Sequence, residues 1–229
     1  MRIAEYIKNK RVCFVGPSPI LIGKNTGNLI DNYDIVIKTN GAMFFTDDEF
    51  FNDYGKKLDI LYINSSFYRS QGDAPFLSAC KAEFLRFSQI DIVDHDRLSA
   101  QFDLSIYTRG IEGIKGRALL LPCIIHDLIN FQAKEIHITG IDFNTARGSL
   151  KKLDKPDESL SEYHPSYLST HQAKIMKHFR KRKVSDGHNN VSNILWVKKQ
   201  YDAGLISMPD FVEEKLNLAL SWLKVDKLA

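Results

Sequence analysis

A glycine-rich turn follows the apolar run Arg11 to Val15, with Gly16, Gly23 and Gly27 placed where a strand hands over to a loop. Glycines there allow backbone N–H groups to face an anionic ligand, as phosphate-binding loops do. The spacing is not GxGxxG, because Ser18 holds the place of the second glycine, and no Gly-Lys-Ser/Thr follows to make a P-loop. Asn40 and Asn64 each close a short apolar run. An asparagine offers both a donor and an acceptor, which suits a ribose hydroxyl or a pyrimidine edge, and suits a turn equally well. Asp94 and Asp96, one residue apart, have the spacing of a divalent-metal clamp, or of an ordinary acidic loop. His164, His171, His178 and His188 fall close together, with no HExxH among them. His171, at the start of an expected helix, and His164 lie near Tyr163 and Tyr167, and histidine has the pKa of a general base near neutral pH.

These residues need elements to position them. Helical spacing is expected over 3–9, 75–87, 117–131, 170–182 and 209–224, with Pro122 in the first turns of the third helix or marking its start. Short apolar runs predict strands at Arg11–Val15, Ile35–Lys38, Asp59–Ile63, Gln89–Val93 and Glu135–Thr139. Strands apolar on both faces and alternating with helices indicate a parallel sheet covered on both sides. The fold class is therefore α/β: one Rossmann-like domain over residues 1–229, with a mostly parallel sheet between two helical layers. Ligands of such sheets bind at the carboxyl ends of the strands. Gly16 to Ser18, Asn40, Asn64 and Gly140 to Asp142 all fall at such ends. The polar stretch 144–162 has the composition of a mobile loop, and 205–229 that of a C-terminal helical extension with an amphipathic face able to touch a membrane or pack on the sheet.

Bulk properties narrow the field. The 229 residues suffice for one domain with a sizeable core, and a net charge of +3 is too small to argue for nucleic acid as partner. Three scattered cysteines, Cys13, Cys80 and Cys123, read as reduced thiols of a cytoplasmic protein. The first residues contain no apolar stretch of signal-peptide length, and no later run reaches the length of a membrane span.

The stretch GPSPILIGKNTGNLIDNYDIVIKTNGA, Gly16 to Ala42, carries more than glycines. It resembles, without a gap, the large sialylmotif of the sialyltransferases (glycosyltransferase family 29), G-N-S-x-x-L-x-G-x-x-x-G-x-x-I-D-x-x-D-x-V-x-R-x-N-x-A. The resemblance implies a GT-A-like variant fold in which this loop and the following strand hold the CMP part of a CMP-sugar. Gly16, Ser18 and Asn40 would then meet the nucleotide, with Asn64, Gly116 and Gly140 completing its site. Pro17 stands in place of asparagine, Lys38 in place of arginine, and Val12 where animal members have a disulfide cysteine. The segment 116–143 is similar in plan to the small sialylmotif, and His171 and His164 are similar to the histidines of the last motifs.

The resemblance implies a glycosyltransferase that moves a 2-keto sugar acid, sialic acid or Kdo, from a CMP-sugar donor to a glycan or glycolipid hydroxyl. It implies a histidine base, inversion at the anomeric carbon, and neither metal nor further cofactor. Two alternatives stay open on the residues: a metal-dependent UDP-sugar transferase using Asp94 and Asp96, and a non-catalytic nucleotide-binding module.

Overall fold

The computed structural model describes residues 3–39, 50–64, 84–88, 103–104, 110–115, 118–143 and 190–225. Among them, Arg11–Val15 (β1), Ile35–Thr39 (β2), Ile60–Asn64 (β3), Phe84–Ser88 (β4), Asp103–Leu104 (β5) and Glu135–Thr139 (β6) form one sheet. Its order is β5-β4-β3-β2-β1-β6, and every adjacent pair is parallel. The described helices are Ile3–Ile7 (α1), Gly27–Asp31 (α2), Phe51–Tyr54 (α3), Leu120–Asn130 (α4), Asn190–Asp202 (α5) and Asp210–Val225 (α6).

The strand order explains which helix lies where. From β1 to β5 each connection steps the same way across the sheet, whereas β6 returns to the far side of β1. Parallel crossovers are right-handed, so reversing the step moves the connecting helix to the opposite face. Accordingly α2 and α3 contribute Ile30 and Tyr54 to a small core with Cys13, Val15 and Val36. The helix before β6, α4, packs with Val12, Phe14, Ile37, Tyr62 and Ile138 in a much larger core, joined by α1, α5 and α6. The α/β class, the parallel sheet and the two helical layers are as expected. The order reverses between β1 and β6, the switch point at which such folds place their ligands.

Pro122 stands in the first turn of α4, where a missing N–H costs no intrahelical bond. One expectation needs correction. The helix expected over 75–87 gives way to strand at Phe84–Ser88, because a short run such as FLRFS fits either period and its aromatic residues favour a pleated surface. The strand expected at 89–93 and the helix at 170–182 lie outside the described residues. Helix α5 has no counterpart in the sequence reading because polar residues share its buried face with Ile194, Trp196 and Val197. Ser192 and Asn193 are buried while Val191 and Leu195 are exposed, and the buried pair is hydrogen-bonded to the chain before α4: Lys115 N–H donates to Ser192 Oγ (3.0 Å) and Leu119 N–H to Asn193 Oδ1 (2.7 Å). The apolar stripe of α6, Val212, Leu216 and Ala219, is fully buried in the large core. That stripe is therefore spent on the core. Beyond β6, Ser207 N–H donates to the Ile136 carbonyl (2.9 Å) and its carbonyl accepts from Ile138 N–H (2.8 Å).

Candidate active site

β1 and β6 each end on a glycine, and the two glycines meet. Gly16 N–H donates to the Thr139 carbonyl at 2.9 Å, and Ser18 N–H to the Gly140 carbonyl at 2.9 Å. A Cβ on Gly16 would collide with the Gly140 carbonyl and the Ile141 side chain. One on Gly140 would sit 2.6 Å from the Gly16 carbonyl oxygen, and Gly140 has φ +67° besides. Only glycine at both positions lets the strand ends close to this distance. Gly16 and Gly140, placed in the site from sequence, are thus brought together at the switch point.

The loop that follows is held from below by five consecutive residues, Asp53 to Lys57, none of which the sequence reading singled out. The Asp53 carboxylate accepts N–H groups from Gly23 (2.8 Å) and Asn25 (2.8 Å), and its backbone carbonyl accepts the Thr26 hydroxyl (2.7 Å). Tyr54 is fully buried and donates its hydroxyl to the Ser18 carbonyl at 2.7 Å. The Gly55 carbonyl accepts Lys38 Nζ at 2.9 Å. The backbone N–H groups of Lys56 and Lys57 both donate to the Asp31 carboxylate (3.0 Å each), and Lys57 Nζ reaches the carbonyls of Tyr33 and Asp34 (2.7 Å each). The whole segment from Ser18 to Lys38 is thereby tied to one short stretch. A sequence signal for this existed only in the acid Asp53 and the glycine Gly55, which has φ +69°.

These bonds correct one expectation. The turn's N–H groups were expected to face an anionic ligand. Those of Gly16 and Ser18 are donated to Thr139 and Gly140, those of Gly23 and Asn25 to Asp53, and Pro17 and Pro19 have none. Gly16 and Gly23 therefore shape the loop, and their own N–H groups are already taken. Ser18 is itself buried, with its hydroxyl 3.4 Å from Ile20 N.

Lys38 is the unusual charge of the site. It is fully buried under the segment, and burial pulls its pKa down to about 8, against the opposing pull of Asp31. The Thr139 hydroxyl, at the end of β6, is buried and has no hydrogen-bond partner among the described residues. Burial pushes the Cys13 thiol far up and the Cys123 thiol up to about 12, so both thiols stay protonated at neutral pH.

Asn64 closes β3 beside Ser88 of β4, at the same end of the sheet as Gly16 and Gly140. Asn40, Gly116, His164, His171, Asp94, Asp96 and the stretch 144–162 lie outside the described residues. The two described histidines stand elsewhere: His126 on α4, 3.0 Å from the Asn130 amide, and His137 in mid β6, bonded to Ser207 Oγ at 2.9 Å. Burial lowers the His137 pKa, with Glu135 opposing. Among the described residues no three His, Cys, Asp or Glu side chains gather to hold a metal, and no helix is long and apolar enough to cross a membrane.

Residues 6–95, which contain the Gly16 loop and its Asp53–Lys57 support, match the sequence model of glycosyltransferase family 29 (sialyltransferase). The match spans 90 of the 229 residues. No curated protein matches the chain. Its fold is similar to the crystal structure of a mammalian sialyltransferase (TM-score 0.53, 14% identity, 88% of this chain and 69% of that one). It is equally similar to the structure of a mammalian sialyltransferase in complex with Gal-beta-1-3GalNAc-ortho-nitrophenol (TM-score 0.53, 13% identity, 90% and 71%). At such identities the likeness is one of fold. With the family match, it makes the protein a sialyltransferase-like glycosyltransferase.

Proposed function

We propose that this glycosyltransferase moves a 2-keto sugar acid, sialic acid or Kdo, from its CMP-linked form to a glycan or glycolipid hydroxyl. The observation that carries the reading is the placement of the Gly16–Ala42 motif: its glycine turn lies at the β1/β6 switch point, where α/β sheets receive nucleotides. In this reading Gly16 and Gly140 let the nucleotide approach the backbone, while Ser18, Asn40, Asn64 and Gly116 provide its contacts. His171 takes the proton from the acceptor hydroxyl as that oxygen attacks the anomeric carbon. His164 stabilises the departing CMP phosphate. The roles of the two histidines follow from their similarity to the family's last motifs, and residues 1–229 act as one catalytic domain. A phosphate monoester leaves with less charge than a diphosphate, so the reaction proceeds without metal. Buried, protonated thiols suit a reducing cytoplasm.

The test is calorimetric titration with CMP, UDP and GDP, each with and without manganese. CMP binding that ignores manganese is expected. Binding of UDP that appears only with manganese would overturn the reading and move the site to Asp94 and Asp96. If CMP binds, His171→Ala should keep that affinity and lose turnover, whereas His164→Ala, which removes a contact to the CMP phosphate, should lower both.

A further inference from the structure

We propose that Asp53 is the positioning residue of the donor site: its carboxylate sets the shape of the Gly16–Gly27 loop before any nucleotide arrives. This rests on the reading of that loop as the CMP site. Gly23 and Asn25 both have positive φ, +76° and +54°. A non-glycine residue such as Asn25 is held in that region against a steric cost. The carboxylate supplies the compensation, accepting the N–H of each at 2.8 Å, one on each oxygen. Hydrogen bonds to an ionised acceptor are the strong kind, and here two of them converge on consecutive turns of one loop.

The next bonds carry this geometry to the motif's two ends. Thr26 gives its hydroxyl to the Asp53 carbonyl instead of capping α2, so the start of that helix is also fixed to Asp53. Tyr54, the neighbouring residue, holds the Ser18 carbonyl. Gly27 packs so closely on the Phe51 carbonyl that a Cβ would collide with it. Loop and support therefore move as one body. An occupied carboxylate also fills the concavity that the Gly23 and Asn25 N–H groups would offer a phosphate, so the donor's phosphate must be met by other groups.

The test uses Asp53→Asn, which keeps the side chain's shape and removes one of the two acceptors. Two readouts are taken, amide hydrogen exchange without ligand and titration with CMP. The Gly23 and Asn25 amides should exchange at least about tenfold faster, and CMP affinity should fall about tenfold, from loss of a charge-assisted pair. Leu128→Ala, in the opposite core, controls for lost stability: it should lower the melting temperature and leave CMP affinity as in the wild type. Unchanged exchange at Gly23 and Asn25 overturns the proposal, and so does faster exchange with CMP affinity unchanged or improved. A wild-type protein that binds no CMP sinks the donor assignment itself, and this proposal with it.

Discussion

The two faces of the sheet are built on different principles. The face covered by α1, α4, α5 and α6 is a broad apolar core in which Ile124, Leu128, Val212 and Leu216 are fully buried. Among the described residues, the face covered by α2 and α3 has fewer apolar residues and buries Lys38 and the Tyr54 hydroxyl among them, stitched to backbone carbonyls. Apolar burial is strong and non-directional, whereas hydrogen bonds to backbone groups add modest net stability and fix geometry. The larger face keeps the chain folded, and the smaller one keeps the Gly16–Lys38 segment in one shape.

If so, damage to the two faces should differ in kind. Leu128→Ala on the large face should cost about 2–5 kcal/mol in chemical denaturation. Folded Leu128→Ala protein should bind CMP as the wild type does, and a parallel loss of affinity would erase the distinction between the faces.

Lys38 tests the small face through pH. Its folded pKa, about 8, lies below the ordinary 10.5, so between these values the unfolded chain binds more protons. Stability contributed at this position therefore rises as pH goes from about 8 to about 10.5, and below 8 the buried charge opposes folding. A gap of that size corresponds to about 3 kcal/mol as an upper figure. Urea unfolding of wild type and Lys38→Met across this range should give a stability difference that grows with pH in favour of the wild type. A flat difference would mean that Lys38 carries its charge at no cost.

Thr139→Val should have a smaller effect. Removing a buried hydroxyl that lacks a partner among the described residues should stabilise the protein by about 1 kcal/mol. A drop in CMP affinity with this variant would instead make the hydroxyl a ligand contact. Least of all, Tyr201→Phe, which removes a bond to Glu213 between α5 and α6, should change stability by less than about 0.5 kcal/mol and leave CMP affinity alone.

The large face and the sheet were legible in the sequence because apolar periodicity reports burial directly. RVCFV, IVIK, DILYI and EIHIT each read as a strand and each is one. The small face was legible only as a motif. Its glycines suggested an anion-binding loop, yet what they do is admit neighbouring backbone. Asp53 and Lys38 passed unnoticed in their structural roles because nothing local marks a carboxylate that bonds a loop nearly thirty residues earlier, or a lysine whose ammonium is buried. Burial of charge is a tertiary fact. Phe84–Ser88 and α5 were missed for the converse reason, a pattern too short in one case and interrupted by buried polar residues in the other.

Ser207 has a consequence for the protein among its own copies. Strand β6 follows β1 at the end of the described sheet order, and such a strand ordinarily presents N–H and carbonyl groups to any passing extended chain. Here Ser207 already occupies the groups of Ile136 and Ile138, anchored on either side by the buried Ile206 and Met208. A single residue between two helices thus closes a border that could otherwise recruit a second molecule into a growing aggregate.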